Sequence, residues 1–265
     1  MAEPDGRGKV EIRVHGDAES NTLVYLPGIH GDWTLAGGFR RALGGKLRLV
    51  EVGYPLGVNW TQKEYAAAIV HALAERGIHS GWLLGESFGS QIAWEMCQQH
   101  PFAVEAIILA GGFVRHPLPA LANLLYVSTG KKSFRFMRAA LFLYSQVARF
   151  RFGRSPETAG EIQEFVARRT KADFISGRHR LALVARHDPR EIATAVEIPV
   201  FALSGFFDPI VPWVPVRRWL ACHCRRFREH RVIWRADHNV LGTAPKAAAR
   251  QVLVWISRQP MTDRL

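Results

Sequence analysis

Five residues, Gly85-Glu86-Ser87-Phe88-Gly89, separate an apolar run, Trp82-Leu83-Leu84, from an amphipathic one that begins Gln91-Ile92-Ala93-Trp94. The first run reads as the end of a buried strand and the second as the start of a helix. A glycine-x-serine-x-glycine at such a junction forms a turn too tight for side chains at its glycines. It also pushes the serine hydroxyl out of the fold. Five residues are a short pattern. Their weight comes from the strand–turn–helix setting and from partners further along the chain.

The same alternation runs through most of the sequence. Strands are predicted over 9–15, 22–26, 47–52, 81–84, 106–110, 199–204 and 231–234. Helices are predicted over 61–76, 90–100, 214–221 and 245–257. In the first of these helices Tyr65, Ile69, Val70 and Leu73 share one side, and Gly77 ends it. Short apolar strands alternating with helices predict an α/β fold with a mostly parallel sheet covered on both faces. The pattern breaks between 114 and 187, where helical periodicity, prolines and arginines replace it, so a helical insertion between two sheet strands is expected there. The 265 residues suffice for one such domain with its insertion.

Charge divides along the same boundary. The chain carries a net charge of +12. Residues 114–187 hold 14 Lys and Arg against 4 Asp and Glu, while the rest of the chain holds 21 against 19. The basic character therefore belongs to one segment. It bears no helix-turn-helix or aromatic RNA-binding motif, so nucleic acid is not an expected partner.

The three cysteines, Cys97, Cys222 and Cys224, make no disulfide framework. Together with a polar start that lacks a secretory apolar stretch, they predict a cytoplasmic setting. Read as a strand, Cys222-His223-Cys224 would put both thiols on one face. No second cluster completes a tetrahedral metal site, and neither metal nor cofactor is expected.

A serine hydroxyl needs a base, an acid to orient that base, and donors for an oxyanion. Asp208 follows the predicted strand 199–204, in Phe207-Asp208-Pro209, and His238 follows the last strand, in Asp237-His238-Asn239. Both occupy loops beyond strand ends, where open α/β sheets build their sites. Asp237 adjoins His238, but side chains of loop neighbours diverge, so Asp208 is the expected orienting acid. The backbone N–H of Phe88 is one expected oxyanion donor. The loop Leu26-Pro27-Gly28-Ile29-His30-Gly31 offers the N–H of Ile29 as the other.

The order Ser87, Asp208, His238 resembles that of the α/β-hydrolase superfamily, as do the elbow around Ser87 and the glycine loop near Ile29. The resemblance covers residues 20–113 and 188–258. It implies a hydrolase core of residues 1–113 and 188–265, with residues 114–187 in the place of that family's variable cap. The loop has Pro27-Gly28 where a His-Gly form is common, which is similar to a Leu-Pro-Gly subgroup of esterases, thioesterases and acyltransferases. His30 then either lines the site or packs the loop. Serine at 87 sets the chain apart from similar epoxide hydrolases and dehalogenases, which use aspartate there. The resemblance implies acyl transfer, with hydrolysis of a carboxylic ester or thioester as the leading expectation. An acyltransferase with an alcohol acceptor and a non-catalytic ligand-binding relative are the alternatives. Activity is expected to fall as His238 protonates, in the usual imidazole range of about pH 6–7.

On a helical wheel of residues 131–151, Lys131, Arg135, Arg138, Ser145 and Arg149 share one face, interrupted by Phe142. Phe136, Met137, Ala140, Leu143, Tyr144 and Val147 share the other. The expectation is a lid helix with solvated arginines whose apolar side, including Phe134, Phe136, Met137, Leu141 and Tyr144, faces Ser87 and favours an apolar or aromatic acyl substrate. The basic face would suit contact with an anionic surface.

Overall fold

The structure, a computed structural model, describes residues 8–130 and 156–258, and between them residues 135, 138, 139, 142, 143, 145–147 and 150. Seven strands form one sheet: β1 (Glu11–His15), β2 (Thr22–Leu26), β3 (Arg48–Gly53), β4 (Ser80–Glu86), β5 (Ala103–Ala110), β6 (Val200–Gly205) and β7 (Phe227–Ile233). Their order across the sheet is β1-β3-β2-β4-β5-β6-β7. β1 runs antiparallel to β3, and every other pairing is parallel.

Strand alternation sorts the core into two layers. Val24, Leu26, Leu83, Ile107, Leu109, Val200 and Ala202 face one way. Leu23, Tyr25, Trp82, Leu84, Ile108, Ala110, Phe201 and Leu203 face the other. The central strands are buried on both sides, so they read as continuous apolar runs. Helices α1 (Gly37–Leu43), α2 (Gln62–Ala74) and α3 (Phe88–Met96) follow the first strands. Helices α4 (Pro119–Gly130), α5 (Pro156–Ala167) and α6 (Lys171–Arg186) fall within the basic segment, and the described residues between 135 and 150 are helical as well. Helices α7 (Arg190–Ala195), α8 (Trp213–His223), α9 (Val240–Thr243) and α10 (Pro245–Arg258) complete the chain. Capping boxes at Thr61/Glu64 and Thr170/Asp173 start α2 and α6. No helix among the described residues is long and apolar enough to cross a membrane.

Two expectations need correction. The last strand lies at 227–233, not 231–234, because β7 is an edge strand whose Arg228, Glu229 and Arg231 mask the apolar pattern. Cys222 and Cys224 are not on a strand: Cys222 is an exposed residue of α8 and Cys224 is its buried C-cap. The four-residue spacing of Val216, Leu220 and Cys224, all buried, is the core-facing stripe of that helix.

Candidate active site

Ser87 sits where β4 turns into α3. Its φ of 50° and ψ of −114° make it the one non-glycine residue with positive φ among those described. Such a conformation costs on the order of 1–3 kcal/mol and persists because its surroundings hold it. The Ser87 N–H donates to Ala110 O at 3.1 Å, and the Ser87 carbonyl accepts from the Ser90 N–H and from the Ser90 hydroxyl at 2.6 Å. Ser90 also bridges to Phe113 O, tying the turn to the end of β5. A side chain at Gly89 would run into the Leu26 and Pro27 carbonyls, so only glycine lets α3 begin directly after the serine.

The β6 and β7 loops bring in the other two groups. His238 Nε2 lies 2.9 Å from Ser87 Oγ, and its Nδ1 lies 2.9 Å from Asp208 Oδ2. Since a carboxylate only accepts, Nδ1 carries the ring proton of the neutral imidazole, and Nε2 accepts from the serine hydroxyl. Asp208 Oδ1 takes the N–H groups of Ile210 and Val211, which fixes the carboxylate, and its side chain is fully buried. Burial disfavours the charged imidazole, but the Asp208 charge and hydrogen bond outweigh it, with Glu86 and Asp237 adding to them. The His238 pKa is therefore raised above its ordinary 6.5. Asp237 holds its own turn through Asn239 N–H and the Thr243 hydroxyl, and the carboxylate hydrogen-bonded to the imidazole is that of Asp208.

The loop 27–31 passes directly beside the serine: a Cβ built on Gly28 would lie 3.5 Å from Ser87 Cβ. Four of its carbonyls are held by hydrogen bonds. Pro27 O accepts from the Tyr54 hydroxyl, Gly28 O from the Gly31 N–H, and Gly31 O from the Tyr54 N–H. Ile29 O accepts from Arg180 at 2.9 Å. Among the described residues no acceptor takes the N–H of Ile29, nor that of Phe88 at the start of α3.

No protein-family model matches the sequence, and no curated protein matches it. Solved structures do. The chain is similar to a hydrolase from Pseudomonas aeruginosa PA01 with a TM-score of 0.77 at 17% identity, over 93% of this chain and 94% of that one. It is similar to an enol-lactonase from Burkholderia xenovorans LB400 with a TM-score of 0.76 at 16% identity, over 94% and 96%. An esterase from Rhodococcus sp. ECU1013 aligns with a TM-score of 0.74 at 18% identity, over 94% of each chain. The fold is that of the α/β-hydrolases. Within it, the loops after β2, β4, β6 and β7 all converge at the carboxyl edge of the sheet, which is where Ser87, Asp208, His238 and Ile29 meet.

In this α/β-hydrolase fold a cavity of about 370 Å³ opens over Ser87 and His238. The basic segment supplies Ala122, Ile162, Phe165, Val166, Leu181 and Val184 to its apolar wall, and the core supplies Leu35, Phe113, Ile210 and Val211. A smaller cavity of about 250 Å³, beside Arg115 and Trp219, shares only His116 with it and contains neither Ser87 nor His238. Of the expected substrate-binding residues, His30 lines the larger cavity and also packs edge-on against Phe165 at 4.7 Å. Burial, followed by the nearby Arg169 charge, pushes the His30 pKa down to about 4, so His30 is neutral at pH 7. Phe136, Met137 and Tyr144 lie outside the described residues, as do Phe134 and Leu141.

The expected facing of residues 131–151 is overturned at three of its described positions. Ser145, placed on the solvated face, is buried and lines the cavity, whereas Leu143 and Val147, placed inward, are exposed. Arg135 and Arg138 are exposed as expected. A wheel orders residues about an axis, but the side that finds a partner depends on neighbouring helices. Three residues near the serine carry little signal in the sequence. Arg169, almost fully buried, pairs with Asp32 of the glycine loop. That charge outweighs burial and holds the Asp32 carboxyl below its usual range. Arg180 is fully buried, and its one legible signal is the four-residue spacing of Ser176, Arg180 and Val184 on α6. Glu86, inside the pentapeptide itself, is buried and accepts from the Tyr25 hydroxyl. Burial raises its pKa toward the neutral acid.

Proposed function

We propose that the protein is a serine hydrolase that cleaves a carboxylic ester or thioester through an acyl-enzyme on Ser87. The observation that carries this reading is the hydrogen-bonded series from Asp208 through His238 to the Ser87 hydroxyl, on the wall of a largely apolar cavity. His238 takes the hydroxyl proton as Ser87 attacks the acyl carbonyl. The N–H groups of Ile29 and Phe88 receive the oxyanion. The imidazolium, held by Asp208, protonates the leaving group. Water then gives its proton to His238, attacks the acyl-enzyme and releases the acid. Residues 1–113 and 188–265 serve as the catalytic core, and residues 114–187 as a cap that walls the acyl pocket.

The pocket favours a small apolar acyl group. The Asp237 carboxylate, which also lines it, disfavours an anionic one close to the serine. The test is a panel of p-nitrophenyl esters and acyl-CoA thioesters, run with wild type and Ser87→Ala. Turnover of at least one class by wild type and its loss in Ser87→Ala is the expected result. An unchanged rate in Ser87→Ala, or failure of a fluorophosphonate to label Ser87, overturns the reading. Adding an alcohol acceptor separates hydrolysis from acyl transfer by whether free acid or a new ester accumulates.

A further inference from the structure

Of the 14 basic residues in the segment 114–187, Arg180 is the most deeply buried of those described, with none of its surface exposed. Its fork spans two loops that are far apart in sequence. Nη1 donates to Ile29 O at 2.9 Å, Nη2 to Pro55 O at 3.0 Å, and Nε to the Tyr65 hydroxyl at 3.3 Å. The guanidinium also lies over the rings of Tyr54 and Tyr65, 5.2 and 5.8 Å from their centroids. Among the described residues no carboxylate forms an ion pair with it. A buried cation without a counter-ion is costly in a folded protein unless its surroundings compensate it. Here the compensation comes from carbonyl dipoles, a phenol and two aromatic faces.

The carbonyls it chose are informative. Gly28 O turns toward the Gly31 N–H, so in the same planar peptide the Ile29 N–H points the opposite way. The next peptide is fixed by Arg180 through Ile29 O. Gly31 has a φ of +82°, and a side chain there would strike the Arg180 guanidinium, so the loop is shaped to admit it. The turn of helix α6 before this contact is also bound to the core: Ser176 Oγ accepts from the Gly57 N–H at 3.0 Å, and His179 Nε2 lies 2.9 Å from Trp60 O. A helix of the proposed cap thus holds the loop that carries a proposed oxyanion donor.

We propose that Arg180 is a positioning residue, which acts through the loop 27–31 to aim the Ile29 N–H at the oxyanion. Its positive charge lies behind that loop, where negative charge develops in the transition state and is absent in the ground state. Its contribution therefore falls on kcat rather than on KM. The inference rests on the serine-hydrolase reading.

The experiment compares wild type, Ser87→Ala, Arg180→Ala and Arg180→Lys on the best ester of the panel, with thermal melts to establish folding. Losing one oxyanion donor costs on the order of 10²–10³ in rate, so Arg180→Ala is expected to lose about 100-fold in kcat with KM changed less than about threefold. Affinity for a trifluoromethyl ketone, whose adduct with Ser87 bears an oxyanion, falls in step with kcat. Methylguanidinium restores part of the rate in Arg180→Ala. Arg180→Lys keeps the charge but cannot span both carbonyls, and it is expected to lose about 10-fold in kcat. It decides the matter if Arg180→Ala does not fold. A folded Arg180→Ala with wild-type kcat, a kcat loss that leaves ketone affinity unchanged, or an Arg180→Lys with wild-type kcat overturns the inference. An inactive Ser87→Ala beside a fully active Arg180 variant defeats this inference alone. An active Ser87→Ala defeats the hydrolase reading and this inference with it.

Discussion

The sheet core and the segment 114–187 use their charged residues in opposite ways. In the core, charge is nearly balanced, and the groups at the site stand at strand ends whose places follow from backbone periodicity. In the segment, the balance is strongly basic, yet the consequential arginines are those turned away from water. Arg169 grips Asp32 and Arg180 holds Ile29, while Arg135 and Arg138 stay exposed. The apolar residues of the segment divide as well: Ile162 and Phe165 wall the cavity, whereas Leu143 and Val147 face out. A net charge of one sign therefore says little about where the working charges of a segment lie. Two buried arginines attach this one to the loop beside the serine, and among the described residues no exposed arginine bonds to that loop.

The comparison breaks or sharpens under substitution. Ser87→Ala, in the core, should have the largest effect, a fall in kcat/KM on the order of 10⁵–10⁶ measured on the best ester. A residual rate near wild type would move the chemistry away from the core altogether. Asp208→Asn should follow, with a loss of about 10⁴. It should also shift the pH profile. His238 works as a base only when neutral, and Asp208 raises its pKa above 6.5, so wild-type kcat/KM should fall as pH drops through a value above 6.5. Removing the Asp208 charge should move that acid limb to lower pH. An unmoved limb would assign it to another group.

In the segment, Arg169→Met should leave Asp32 without its partner and cost about 3 kcal/mol in denaturant-unfolding free energy. Arg135→Ala, on an exposed arginine of the same segment, should change it by less than about 0.5 kcal/mol. Equal losses in the two variants would erase the distinction between inward and outward arginines.

Much of the core is legible in the order of its residues. Glycine, serine and glycine at an apolar-to-amphipathic junction announce a strained turn, and β4, Ser87 and α3 take that form. The glycine loop at 27–31 and the aspartate and histidine beyond two later strands are also readable, because a strand end is a local feature. The edge strand β7 is displaced from its expected place, because none of its residues is fully buried and its apolar alternation is diluted. Helices α1 and α7 are only 7 and 6 residues long, too short for periodicity to register.

By itself the sequence determined the strand and helix alternation, the turn at Ser87 and the order in which serine, aspartate and histidine arrive. Each depends on neighbours within a few residues. Tertiary structure alone decided which arginines are buried, which residues wall the cavity, and that Glu86 meets Tyr25. Arg180 and Ile29 are 151 residues apart, and Arg169 and Asp32 are 137 apart. A charged side chain can be buried only where its hydrogen-bonding partners already wait, and at such separations folding of the whole chain is what assembles them.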